Sequence, residues 1–186
     1  MIIGISGYAQ AGKDTAGDCL VEHYGFTRIA LADPVRNMVY DTHPDIAATV
    51  DAVGWETAKT LYPNIREALI TVGVGARTHI GPNVWLDAMK ARMKHGTPYV
   101  ITDVRFPNEY DFCRKYGEMW RVTRTDTGPA NTGVSENTLT SFEFDRHLDN
   151  FGTIADLHEN VTHEMFQLSL DQYAGEYNDL IGHNDD

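Results

Sequence analysis

The sequence predicts an α/β fold: a five-stranded parallel sheet flanked by helices. Three observations predict it. Short apolar runs alternate with helical stretches along the chain. The first run, IIGIS at residues 2–6, leads straight into a glycine-framed loop and a helix. A central run, YVIT at 99–102, ends on Asp103, where open parallel sheets bind their ligands.

Taken in order, residues 2–6 read as a strand buried on both faces. A helix from about Lys13 to Tyr24 stops at Gly25, a residue suited to the left-handed position past a helix end. TRIAL at 27–31 reads as a second strand, and Asp33-Pro34 as an N-cap with proline in the first turn. Residues 41–94 look helical, broken into short pieces by Pro44, Gly54, Pro63, the Gly73–Gly75 pair and Gly81-Pro82. After the third strand at 99–102, Pro107 opens a helix that Gly117 closes, and MWRVT at 119–123 is the fourth strand. Residues 125–138 are polar and read as a loop. A fifth strand near 147–150 precedes Thr153, which can cap a long helix reaching about Tyr173. This gives a single domain of 186 residues. Its core is expected at 1–32 and 95–175, a helical substrate-binding region at 33–94, a lid at about 124–138, and an acidic tail at 176–186 that frays.

The chemistry starts in the first loop. Gly7 and Gly12 frame Tyr8-Ala9-Gln10-Ala11, and Lys13 follows, which is the G-x-x-x-x-G-K pattern of a phosphate-binding loop. Glycines let backbone amides curl around phosphate oxygens, the helix N-terminus favours negative charge, and the lysine adds a mobile cation. Asp14 stands where Ser or Thr is usual, and Thr15 comes one residue later. That departure argues for a small-molecule kinase over a GTPase-type switch.

Composition narrows the partners. With 27 acids against 15 lysines and arginines, the net charge of −12 disfavours nucleic-acid polymers and anionic membranes. Cys19 and Cys113 have no metal-ligand spacing and read as buried free thiols in a reducing compartment. Neither a leader nor a membrane span is visible, so a soluble cytoplasmic protein is expected.

Asp103 is a candidate for holding magnesium beside the phosphates, with a helix N-cap as the alternative. Phosphoryl transfer between two anions needs cations aimed at both. Arg36, Arg66, Arg77, Arg105, Arg121 and Arg124 lie at predicted strand ends and loop edges. Arg124 stands at the entrance to the polar loop, where a closing lid would carry it over the phosphates. His158-Glu159 with His163 resembles a zinc-protease motif, but the histidines are five apart and point to different faces. Trp55, Trp85 and Trp120 read as core, with Trp85 also able to stack on a base.

Together with the loop, A-D-P at 32–34, D-V-R-F-P-N-E at 103–109, V-S-E at 134–136 and the F-D…D-N-F-G-T-I-A-D-L run at 144–157 resemble the bacteriophage-type deoxynucleoside monophosphate kinases. The resemblance implies a P-loop kinase fold with a helical substrate-binding insertion and a lid loop. It implies transfer of the ATP γ-phosphate to a deoxynucleoside monophosphate (dNMP) with Mg2+, by a monomer or homodimer in the cytoplasm, the host's if phage-encoded. Gly7, Ala11, Gly12, Lys13, Asp14, Thr15 and Arg121 would hold ATP, and Asp14, Thr15 and Asp103 the metal. Lys13, Asp103, Arg105 and Arg124 would serve the transfer, and Arg36, Arg66, Arg77 and Trp85 the acceptor. Gly133 stands where the family often has a histidine before V-S-E. A dephospho-coenzyme-A-type kinase is the rival on the same architecture. A non-enzymatic nucleotide switch is the second rival, although no N-K-x-D guanine motif is present.

Overall fold

In the computed structural model, residues 1–125, 138–139 and 141–182 are described, with side chains to residue 175. Five parallel strands form one sheet: β1 (Ile2–Ser6), β2 (Thr27–Arg28), β3 (Tyr99–Ile101), β4 (Gly117–Thr123) and β5 (Arg146–Asp149). The order is β2-β3-β1-β4-β5, with β1 central. Ile3 pairs with Val100 on one side and Glu118 on the other. All the ladders are parallel, so the loops at the strands' carboxyl ends gather at one edge.

The side-chain period of two separates two cores across this sheet. Ile3, Ile5, Val100, Trp120, Val122 and Leu148 face one way, where Leu20 of α1 (Lys13–Tyr24) and Leu157, Val161 and Leu168 of α8 (Ile154–Gly182) cover them. Ile2, Tyr99, Ile101 and Met119 face the other way, against Tyr110 and Cys113 of α7 (Pro107–Tyr116) and Leu86 and Met89 of α6 (Val84–Lys90). The crossing of α7 over β1 is close: a Cβ on Gly4 would lie 2.7 Å from the Cys113 sulfur.

Between β2 and β3 the chain makes a helical excursion. It comprises α2 (Asp33–Thr42), α3 (Pro44–Val53), α4 (Trp55–Leu61) and α5 (Pro63–His79), followed by α6. These helices build a third core from Val39, Ile46, Val50, Ala58 and Ile65. Pro44, Gly54 and Pro63 punctuate the helices as expected, but Gly73 and Gly75 do not. Helix α5 runs through both for 17 residues, because its packed neighbours outweigh the modest cost of two helical glycines.

Three further boundaries differ from expectation. The second strand is only two residues long. Asp33 does not cap α2: the helix starts without a side-chain cap, and the Asp33 carboxylate accepts from Arg92 at 3.2 Å instead. The last helix continues to Gly182 rather than ending near Tyr173. Its start is as predicted, with Thr153 and Asp156 capping each other reciprocally. Both cysteines are buried free thiols. Among the described residues no helix is long and apolar enough to cross a membrane.

Candidate active site

The loop after β1 takes a shape that its sequence requires. Gly7 has φ 150° and Gly12 φ 104°, and Gln10 adopts φ 63°. A Cβ on Gly7 would lie 2.5 Å from the Val122 carbonyl oxygen, and one on Gly12 would lie 2.4 Å from Asn150 Nδ2. Both glycines are therefore fixed by backbone conformation and by close approach. The loop rests on the ends of β4 and β5: Asn150 donates from Nδ2 to the Ala11 carbonyl at 2.8 Å, and its own amide donates to Thr123 O. Helix α1 begins right after Gly12 with no side-chain cap, which leaves its first amides pointing into the loop. Lys13 curls back over the loop and donates from Nζ to the carbonyls of Gly7 and Tyr8, each at 2.8 Å.

At the same end of the sheet, α1 is tied to β3. The Asp14 carboxylate accepts from the Thr102 hydroxyl at 2.7 Å, while most of the Asp14 side chain faces solvent. Arg28 donates to the Asp14 carbonyl at 2.6 Å and pairs with Asp18 at 3.0 Å. Thr15 is half-buried one residue further on. An exposed carboxylate with a hydroxyl beside it, next to a row of inward-pointing amides, is a donor set suited to a hard divalent cation near phosphate oxygens.

Asp103 has a different role from either of those weighed from sequence. Its two carboxylate oxygens accept the amides of Leu31 and Ala32, at 3.1 and 2.9 Å, and so pin the turn that launches α2. Burial pushes its carboxyl above the ordinary value of 3.8, while the two amide bonds and Arg105 work against that rise. Each Asp103 oxygen thus holds one amide of residues 31–32, while Asp14, paired with Arg28 at 3.6 Å, presents the more exposed carboxylate at this end of the sheet. Nor does Asp103 cap α7. Glu109 does, by reaching back to the amides of Arg105 at 2.8 Å and Phe106 at 3.0 Å.

The arginines separate into groups. Arg77 is held by three partners: Glu109 through Nη2, the Pro82 carbonyl at 2.9 Å, and the Phe106 ring 4.1 Å below its guanidinium carbon. Arg36 reaches Glu56 at 3.1 Å on the helical excursion. Arg105 is exposed, two residues past Asp103, and Arg66 is exposed on α5. Arg121 lies near the end of β4, with its guanidinium 5.8 Å from the Tyr8 ring of the loop after β1 and 5.1 Å from Phe144. Arg124 is exposed just beyond β4. The lid expected at 124–138 falls mainly on 126–137, which lie outside the described residues, as do Gly133, Ser135 and Glu136.

Trp85 is corrected as an acceptor residue. It is only 4% exposed, and its indole N–H donates to the Gly73 carbonyl at 2.8 Å, so it braces α6 on α5 and offers no face to a base. Trp120 is fully buried and Trp55 packs on the third core, as expected of core residues. Sequence reasoning missed Thr102, Arg28, Asn150 and Glu109. The signal for Glu109 was the carboxylate in the third position of a helix opened by Pro107, a capping placement. An open groove of about 450 Å³ along α2 and α6, lined by Pro34, Met38, Ala88 and Arg92 among others, contains none of these candidates.

Over 92% of its length the chain superposes on 98% of a dephospho-CoA kinase from Campylobacter jejuni, with a TM-score of 0.51 and 10% identity. A gluconokinase from Sinorhizobium meliloti matches 93% of the chain and 95% of its own, also at 0.51, with 12% identity. The fold is that of the P-loop kinases. In sequence, 87% of the chain aligns with 94% of an Acanthamoeba polyphaga mimivirus protein described as "Putative deoxynucleotide monophosphate kinase", at 25% identity over 182 residues. No protein-family model matches the chain.

Proposed function

We propose that the protein is an ATP-dependent kinase that transfers the γ-phosphate of ATP to a deoxynucleoside monophosphate, with magnesium. The observation that carries this reading is the braced phosphate loop at the carboxyl end of the central strand, with Lys13 folded over it. The helical excursion between β2 and β3 carries Arg36 and Arg77, which this reading assigns to the acceptor side. The mimivirus relative supports the acceptor class, and the structural neighbours support the kinase fold.

In this reading the amides of residues 7–13 hold the ATP phosphates, with Gly7, Ala11 and Gly12 shaping the cradle. Lys13 exchanges its carbonyl partners for phosphate oxygens. Arg121, beside Tyr8, contacts the nucleotide from the β4 side. Asp14 and Thr15 hold magnesium, which when bound neutralises charge on the phosphates. Arg36 and Arg66 serve the acceptor phosphate from the helical side. Arg77, anchored by Glu109, fixes the wall between them. Arg105 and Arg124 stabilise the phosphoryl group in flight, which passes in line from donor to acceptor without a covalent enzyme intermediate. Asp103 contributes by holding the turn from which α2 and Arg36 project.

The test is a coupled ADP-release assay with magnesium-ATP against dNMPs, NMPs and dephospho-coenzyme A. The reading expects ADP release confined to one or a few dNMPs. A response to dephospho-coenzyme A alone would keep the fold and replace the acceptor. ATP binding without turnover on any acceptor would point to a nucleotide switch.

A further inference from the structure

Partway along α1, well past the phosphate loop, three metal-binding side chains converge. Cys19 and His23 are four residues apart and therefore share a face of the helix. His158, in the second turn of α8, meets them from across the helix pair. One ligand atom from each, the Cys19 sulfur and a ring nitrogen of each histidine, lies within 4.8 Å of the other two. The imidazoles stand edge to face, with centroids 6.2 Å apart.

We propose that Cys19, His23 and His158 form a zinc site that ties α1 to α8, with Glu22 as the fourth ligand. One thiolate and two imidazoles are a donor set for zinc, a borderline-soft ion, and not for magnesium, which selects oxygen. Bonds of about 2.0–2.3 Å in a tetrahedron put ligand atoms about 3.3–3.7 Å apart, so closure asks for shifts of about 1 Å. His23 has room for that, because its side chain is more than half exposed. Glu22 lies three residues after Cys19 on the same side of α1, and its Oε2 is 4.0 Å from His23 Nε2. Zinc binds the thiolate, so the buried free thiol of Cys19 gives up its proton as the site forms. On binding, that proton passes to solvent as the zinc–sulfur bond forms. Cys19 is fully buried while His23 is at the surface, which gives the ion an entry path and the site a dry inner side.

The site would clamp the helix that carries the phosphate loop to the long final helix. It draws on no residue of the proposed active centre and stands whether or not the kinase reading holds. The two histidines of the H-E-x-x-x-H run do not act together. His158 pairs with α1, and the exposed His163 lies on another face of α8.

The test is titration of tag-free, metal-free full-length protein with Zn2+ by calorimetry, and with Co2+ by absorption. The expected result is one equivalent bound, with a thiolate-to-cobalt band in the near ultraviolet and the strong visible bands of four-coordinate cobalt. His158→Asn and His23→Asn should each weaken zinc at least about tenfold, and Cys19→Ser should remove the thiolate band. Because Cys19 sits in the core, the histidine variants carry the test, with circular dichroism confirming that they fold. The proposal is overturned if no equivalent of zinc binds in the micromolar range. It is equally overturned if the double histidine variant binds zinc as tightly as the parent, which would locate the ion elsewhere, such as Asp14.

Discussion

The half-buried Arg77 and the buried Glu109 form an ion pair that joins α5 to the start of α7. One Glu109 oxygen takes the Arg77 guanidinium while the other takes the amides of Arg105 and Phe106. The helical wall of the site and the loop bearing Arg105 are thus fixed to each other by one carboxylate, itself only 2% exposed. Glu109→Ala would leave two amides without their acceptor and the half-buried Arg77 guanidinium without its counter-charge. Its expected cost is about 3–5 kcal/mol in urea unfolding, well above the usual effect of a surface helix position.

The same residue sets a pH dependence. Burial is the largest influence on Glu109 and raises its carboxyl above the ordinary 4.5, and the amide bonds and Arg77 offset only part of that rise. The native state therefore keeps the proton to higher pH than the unfolded chain does, and this contribution to stability is full below 4.5 and lost as pH rises through the native value. The stability advantage of the parent over Glu109→Gln should be greatest in acid and shrink as pH rises. Denaturant midpoints measured at several pH values would reveal a constant or growing gap if this is wrong.

Lys13 sits over the loop on two carbonyls, which in the proposed reading it exchanges for phosphate oxygens. Lys13→Ala should lower phosphoryl transfer by about 10²–10³-fold or more while leaving the thermal midpoint close to the parent's. Turnover near normal in that variant would remove the loop from the mechanism.

In the proposed reading Asp14 holds magnesium, steadied by the Thr102 hydroxyl at 2.7 Å. Asp14→Ala should raise the magnesium concentration for half-maximal activity about tenfold. Thr102→Val, which removes only the hydroxyl that steadies Asp14, should give a smaller shift in the same direction. Equal magnesium curves for parent and Asp14→Ala would assign the ion to other ligands.

Gly7→Ala tests the loop geometry itself. The added methyl would meet the Val122 carbonyl at 2.5 Å in a backbone conformation that side chains rarely adopt. A loss of about 1–3 kcal/mol in stability is expected, together with weaker ATP binding by calorimetry, because the loop must leave its cradle shape.

Features written locally in the chain were legible from it. The loop from Gly7 to Lys13, the stop at Gly25, the Pro107 start and the Thr153 cap each depend on neighbours a few residues away. The role of Asp103 did not depend on such neighbours: its amide partner Ala32 is 71 residues distant, and only the β2–β3 pairing brings the two together. Glu109 reads as one more acid on a polar helix until Arg77 arrives from α5. Trp85 reads as able to stack because nothing near it in the sequence shows that α5 runs on past Gly73, the residue whose carbonyl takes its indole proton.

Transfer of the phosphoryl group to a nucleotide is tested most directly by following a label. ATP carrying a radioactive γ-phosphate is incubated with the protein, magnesium and each dNMP in turn, and the products are separated. The account predicts label in the deoxynucleoside diphosphate of one or a few bases, and its loss in Lys13→Ala. Label appearing only as free phosphate, or remaining in ATP with every acceptor, would contradict it.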